Sequence, residues 1–185
     1  MISLFLDTCS AKLIVGVYNG IDPIVLNIEE NDNHLSERIL PLIDNTLKQA
    51  NKKISDINNI IVVNGPGSFT GIRIGVTVAK MLAWCGNIKI STVSELEVLA
   101  SNPNQYTASL IDARRGYVYV GLYDKDGKNI IKDQHIKLTD FMIMLKKYKL
   151  RSYNFILVFI LIVTSVFALA VVNSANSAYT VKQGA

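Results

Sequence analysis

The chain has 185 residues, half of them hydrophobic, with 19 basic residues, 15 acidic residues and a formal net charge of +4. This length is enough to bury a real core in one domain or in two small lobes. Lysines and arginines form no dense stripe, so the modest positive charge does not mark a nucleic-acid-binding surface.

The cysteines are Cys9 and Cys85, two isolated thiols without CxxC spacing. They point to a reducing compartment rather than to a disulfide framework or a clustered-cysteine zinc site. The opening "MISLFLDTCS" meets Asp7 with no basic region ahead of an apolar one. It does not read as a secretory leader, and the expected location is the cytoplasm.

In chain order, "ISLFLD", "KLIVGVYNG" and "DPIVLNIEE" predict three strands in an antiparallel meander. In "LSERILPLIDNTLKQAN", Leu35, Ile39, Leu42, Ile43 and Leu47 recur at helical spacing and Lys48 gives a basic end, with a bend expected at Pro41. "INNIIVVNGPG" predicts a buried strand running into a glycine turn. From Thr70 the pattern is helical, with Ile72, Val76, Ala79 and Ala83 close to one face. "IKISTVSELEVLA" predicts a strand and then a helix capped by Ser94. The segment from Tyr106 to Leu138 carries three more strands, with turns at Arg115-Gly116 and at "DKDG". "TDFMIMLKKY" then opens a helix capped by Thr139 or Asp140. A meander followed by a helix thus occurs twice, a duplication in pattern rather than in letters. Strands alternating with helices after a meander imply an α/β protein with mixed sheets in two lobes.

Few residues point to chemistry. Asp7, followed by Thr8 and Ser10, suits either a metal-bound phosphate or a simple turn cap, and the turn cap is favoured. A metal-binding helix places two ligands one turn apart, but the position four residues after His34 is Arg38, a cation. His34 therefore reads as a cap or surface contact at a helix start. His135 falls in a polar strand. The loop Gly65-Pro66-Gly67-Ser68-Phe69-Thr70-Gly71 precedes a helix, a setting in which amides and dipole favour an anion. It is not the GxxxxGK[ST] phosphate loop, although Arg73 lies in the first helical turn. The alternative is that the glycines serve backbone geometry while Phe69 inserts into a neighbouring surface, and spacing alone leaves both open. No Ser-His-Asp or Cys-His grouping is legible, which leaves hydrolase catalysis little to work with.

The segments "LFLDTCS", "NHLSERILPLI", "NGPGSFTGIRIGVTVAKMLAW" and "SLIDARRGYVYVGLY" follow one another in the order of the TsaB family, also called YeaZ. The resemblance covers about residues 1–150, and the loop and helix from Gly65 to Ala83 are its most specific part. It implies a two-lobed actin/Hsp70/sugar-kinase-like α/β fold with a duplicated β-meander plus helices. It also implies a role in making threonylcarbamoyladenosine in tRNA, as a non-catalytic adaptor with no catalytic, cofactor or metal residues of its own. The implied partners are the transferase TsaD and, in a ternary complex, the ATPase TsaE. tRNA would be met indirectly through that complex, and homodimerisation is expected when the chain is alone. TsaD carries a pair of metal-binding histidines; here Arg38 stands in the place of the second. A catalytic TsaD-like or kinase-like member of the same superfamily is the alternative; that substitution disfavours the transferase, and no second glycine-rich phosphate loop is legible near the C-terminus. In the family the contact with TsaD uses N-lobe helices. The helices at 35–49 and 72–84 would then present it, with Leu40, Ile43, Leu47, Phe69, Ile72 and Met81 as candidate interface residues.

The end departs from the family. "FILVFILIVTSVFALAVV", residues 155–172, is long and apolar enough for a membrane helix, with Lys146, Lys147, Lys149 and Arg151 before it. Yet "NFILV" resembles the strand that begins the closing part of the C-terminal lobe. A diverged end with an incomplete C-terminal lobe is therefore preferred to a membrane-tethered derivative of the adaptor. The expected division is an N-terminal lobe at 1–104, a partial C-terminal lobe at 105–154 and an atypical apolar segment at 155–185.

Overall fold

The computed structural model describes residues 1–30, 34–101, 106–147 and 155–159. Two units emerge, the first comprising Met1–Glu95 and the second beginning at Leu96.

In the first unit, β1 (Ile2–Asp7), β2 (Lys12–Asn19) and β3 (Asp22–Glu30) form the antiparallel meander that their alternation predicts. Helix α1 (Leu35–Gln49), β4 (Asn59–Val63), α2 (Phe69–Gly86) and β5 (Lys89–Val93) follow, giving the sheet order β3-β2-β1-β4-β5. Strands β1, β4 and β5 run parallel. All five residues of β4 are buried, as expected of a parallel strand covered on both faces.

Helix α1 buries Leu35, Ile39, Leu42, Ile43 and Leu47 in one core with Leu4, Leu6, Val15, Ile60 and Val62. Its buried Thr46 is satisfied twice: the hydroxyl donates to the Leu42 carbonyl at 2.6 Å and accepts from Asn27 Nδ2 of β3 at 2.9 Å. The helical assignment is unbroken across Pro41. It ends where Asn51 turns left-handed (φ 52°) and the Lys52 amide reaches back to the Leu47 carbonyl at 2.9 Å.

Helix α2 keeps Ala79 and Ala83 of the expected face and shifts the rest of it. Its buried positions are Gly71, Gly75, Ala79 and Ala83, while Ile72 and Val76 are half-buried beside them. Hydrophobic periodicity passes over glycine, but here close packing selects it.

In the second unit, β6 (Tyr106–Asp112), β7 (Tyr117–Tyr123) and β8 (Asn129–Lys137) form another antiparallel meander. Helix α4 (Leu138–Lys147) and β9 (Phe155–Phe159) complete the sheet order β8-β7-β6-β9. Thr139 and Asp140 lie inside the first turn of α4 rather than capping it, because the helix starts at Leu138, whose amide is held by the Gly116 carbonyl at 3.0 Å. The short helix α3 (Glu95–Leu99) begins directly after Ser94, and its Leu96 packs with Ala100 and Tyr123.

The duplication in topology extends through the fourth strand. In each unit a three-stranded meander leads through a helix to a fourth strand parallel to the first, β4 beside β1 and β9 beside β6. Strand β9 occupies the start of the apolar run at 155–172, pairing from Tyr106 with Phe155 to Leu110 with Phe159. That part is a sheet strand, not a membrane helix; 160–172 lie outside the described residues. Among the described residues no helix is long and apolar enough to cross a membrane.

Candidate functional site

Three parallel strands bring their carboxyl ends to one edge of the first sheet, the edge at which open α/β sheets place ligands. Asp7 closes β1, the glycine loop follows β4, and Glu95 stands just beyond β5. Backbone bonds stitch these ends together: the Ser68 amide donates to the Cys9 carbonyl at 2.8 Å and the Glu95 amide to the Gly65 carbonyl at 2.7 Å. The Thr8 hydroxyl donates to the Gly71 carbonyl at 2.8 Å. Ser68 caps α2 by accepting the Gly71 amide at 3.2 Å. The glycines fit because nothing larger would: a Cβ on Gly67 would stand 2.4 Å from the Cys9 carbonyl oxygen.

Beneath this loop Asp7, Cys9 and Glu95 meet, their oxygen and sulfur atoms all within 4.8 Å of one another. Asp7 accepts the Cys9 amide at 2.8 Å, and the Cys9 thiol donates to the Val63 carbonyl at 3.3 Å. Asp7 is thus a turn cap facing inward. Burial pushes the Asp7 carboxyl above its ordinary range, partly offset by the Cys9 amide. Burial, reinforced by the charge of Asp7, pushes Glu95 up further, and among the described residues no donor meets its Oε2. Burial and both carboxyls push the Cys9 thiol up strongly, so it is no ready nucleophile.

The outer face of the unit is different. Opposite the glycine face of α2, Phe69 is 74% and Trp84 88% exposed. Met81 of α2 and Leu40 of α1 are also exposed. Arg73 lies over the Phe69 ring at 5.2 Å and helps line a groove of about 400 Å³ with Ser36, Thr70, Ile74, Thr77 and Val78. Ile43 and Leu47, expected at an interface, are 4% and 7% exposed and belong to the core, because the sheet already covers that face of α1. Ile72 is half-buried, close under Gly65.

The same chain matches known proteins. Residues 14–180 match the family model of TsaD, tRNA N6-adenosine threonylcarbamoyltransferase. The chain is 39% identical over 153 residues to the tRNA threonylcarbamoyladenosine biosynthesis protein TsaB of Bacillus subtilis, covering 80% of this chain and 67% of that protein. The chain belongs to the TsaB (YeaZ) family. It is 32% identical over 132 residues to the TsaB of Escherichia coli, covering 69% of this chain and 57% of that one. Its fold is similar to that of YeaZ from Pseudomonas aeruginosa, with a TM-score of 0.65, 28% identity and coverage of 74% of this chain and 67% of that one. The names of the two curated relatives tie the TsaB family to tRNA modification.

Set in the TsaB fold, the histidines fall where the sequence reading put them. His34 occupies the N-cap position of α1, exposed and 3.6 Å from Glu37. Arg38, one turn on, pairs with Glu29 and bonds the Glu30 carbonyl at 3.1 Å. His135 on β8 stacks on Tyr117 with ring centres 5.0 Å apart. Sequence reasoning looked for paired histidines and missed Glu95. Only the closing of the parallel sheet brings it to Asp7, and local spacing carries no signal for such a pair.

Proposed function

We propose that the chain acts as an adaptor subunit in the synthesis of threonylcarbamoyladenosine in tRNA, docking a TsaD-like transferase through the outer face of α1 and α2. The observation that carries this reading is the exposure of Phe69, Trp84, Met81 and Leu40 on two adjacent helices whose other faces are buried. Large aromatic and aliphatic side chains held out on rigid helices are the usual anchors of a protein interface. Arg73, stacked on Phe69, adds a cation to the same face. The adaptor is non-catalytic: the place of a second metal-binding histidine holds Arg38, and the Cys9 thiol is buried and poorly nucleophilic. TsaE joins through a ternary complex, tRNA is met through the transferase, the chain pairs with itself when alone, and the complex works in the cytoplasm. The first unit acts as an N-terminal lobe carrying the interface, and the second as a C-terminal lobe.

The test is co-purification of the full chain with the TsaD of its own source on a sizing column without detergent, followed by an assay of threonylcarbamoyladenosine formation. A stable complex in which TsaD gains tRNA-modifying activity supports the reading. Separate elution at micromolar concentrations, with TsaD activity unchanged, overturns it.

A further inference from the structure

The carboxyl ends of β1 and β5 place two acids and a thiol together in the interior, a combination that the adaptor role does not use. Asp7, Cys9 and Glu95 are 2%, 3% and 6% exposed. Among the described residues neither acid takes part in a salt bridge, and Glu95 Oε2 has no hydrogen-bond partner although it is buried within this cluster. A buried oxygen left without a donor carries a large desolvation penalty unless something positive meets it.

We infer that Asp7, Cys9 and Glu95 form a site for one divalent transition-metal ion of borderline softness, with zinc the best fit.

The donor set selects the ion. Two carboxylate oxygens and one sulfur make a mixed O/O/S site, which a hard ion such as magnesium avoids and zinc or cobalt accepts. Zinc bonds of about 2.0–2.3 Å hold tetrahedral donors roughly 3.3–3.8 Å apart. Donor atoms already within 4.8 Å of one another reach that geometry by side-chain rotation. A dication balances two of the three negative charges, and it takes the thiol as thiolate. The fourth position falls to water or to the loop above.

The framework around the donors is fixed. The Cys9 amide orients Asp7 at 2.8 Å, and the Glu95 amide is tied to the Gly65 carbonyl at 2.7 Å. Access runs through the glycine loop, where Gly67 lies directly over Cys9 and is itself exposed. An ion bound there would clamp the β1–β2 turn to the end of the β5 segment at Glu95 and so stiffen the base on which α2 stands.

The test uses the full chain, stripped with chelator and titrated with Co²⁺ and then Zn²⁺. The expected result is a saturable thiolate-to-cobalt charge-transfer absorption at one ion per chain, bleached by zinc and unmoved by excess Mg²⁺. Cys9→Ser abolishes the absorption and Cys85→Ser leaves it. Glu95→Gln, nearly the same shape and so safe for folding, weakens cobalt binding by at least about tenfold, as loss of a ligand or its support does. No saturable absorption in the folded wild-type chain overturns the site, as does an absorption that vanishes with Cys85→Ser or is unchanged in Glu95→Gln. None of these outcomes depends on whether the chain binds a transferase.

Discussion

A Cβ on Gly71 would stand 2.0 Å from the carbonyl oxygen of Thr8, so helix α2 can approach the β1–β2 turn only with glycine at that position. Gly75 repeats the relationship one turn on, 2.2 Å from the Thr8 hydroxyl. Two opposing effects decide a substitution here. Alanine favours a helix over glycine by about 1 kcal/mol. Forcing a methyl group into packed atoms costs about 1–3 kcal/mol or more, and the neighbour is backbone that cannot rotate away. Gly71→Ala is therefore expected to destabilise the first unit by about 2 kcal/mol, seen as a lower urea midpoint at unchanged slope. A midpoint equal to or above wild type would show that the contact is looser than described.

Leu47 and Leu40 occupy the same helix and separate core from surface. Leu47→Ala removes a buried side chain and is expected to cost about 2–5 kcal/mol. Leu40, exposed on α1, should tolerate alanine within about 0.5 kcal/mol. Chemical denaturation of the two variants side by side checks the pair, and similar losses from both would mean that Leu40 is packed in solution.

Trp84 is the single tryptophan of the chain and stands exposed near the end of α2. Its fluorescence thus reports on the proposed interface alone. Addition of TsaD is expected to shift its emission to the blue as the indole leaves water. Trp84→Ala and Phe69→Ser should each weaken the complex by about tenfold or more, near 1.4 kcal/mol, without changing the melting temperature. Binding of full strength by both variants would move the interface elsewhere.

Tyr18 gives the pH dependence its sign. Burial of the phenol in the core raises it from its ordinary value near 10 to about 12. The folded state then keeps the proton that the unfolded chain releases, so stability is full below about pH 10 and falls as pH rises toward 12. Each unit of separation corresponds to about 1.4 kcal/mol, so the loss across the window is about 2–3 kcal/mol. Tyr18→Phe has nothing to ionise and should flatten this part of the profile, measured as urea midpoints at successive pH values. An equal slope in both proteins would assign the alkaline loss to other groups.

Much of the fold is legible in local pattern because local pattern is what fixes it. The alternation of β1 to β3, the spacing of Leu35, Ile39 and Leu42, and the turn residues at Gly116 and Gly127 each act over a few neighbours. Ile43 and Leu47 show the limit of such reading. Periodicity puts them on the apolar face of α1, but whether that face meets the protein's own sheet or a partner depends on strands distant in sequence. Periodicity misses Gly71 and Gly75 on the buried face of α2 for a related reason: these glycines are selected by the nearness of Thr8, which hydropathy does not register.

The sequence by itself determined the elements, their duplicated order and the family, because each rests on short-range propensity or on motifs that stand contiguous in the chain. Tertiary structure decided which apolar side chains stay outside and which polar ones go in. Phe69 and Trp84 are left exposed because α2 spends its opposite face on the β1–β2 turn. Asp7 and Glu95 meet because parallel strands β1, β4 and β5 end at one edge, and only the assembled sheet can bring two acids so far apart in the chain into one water-poor place.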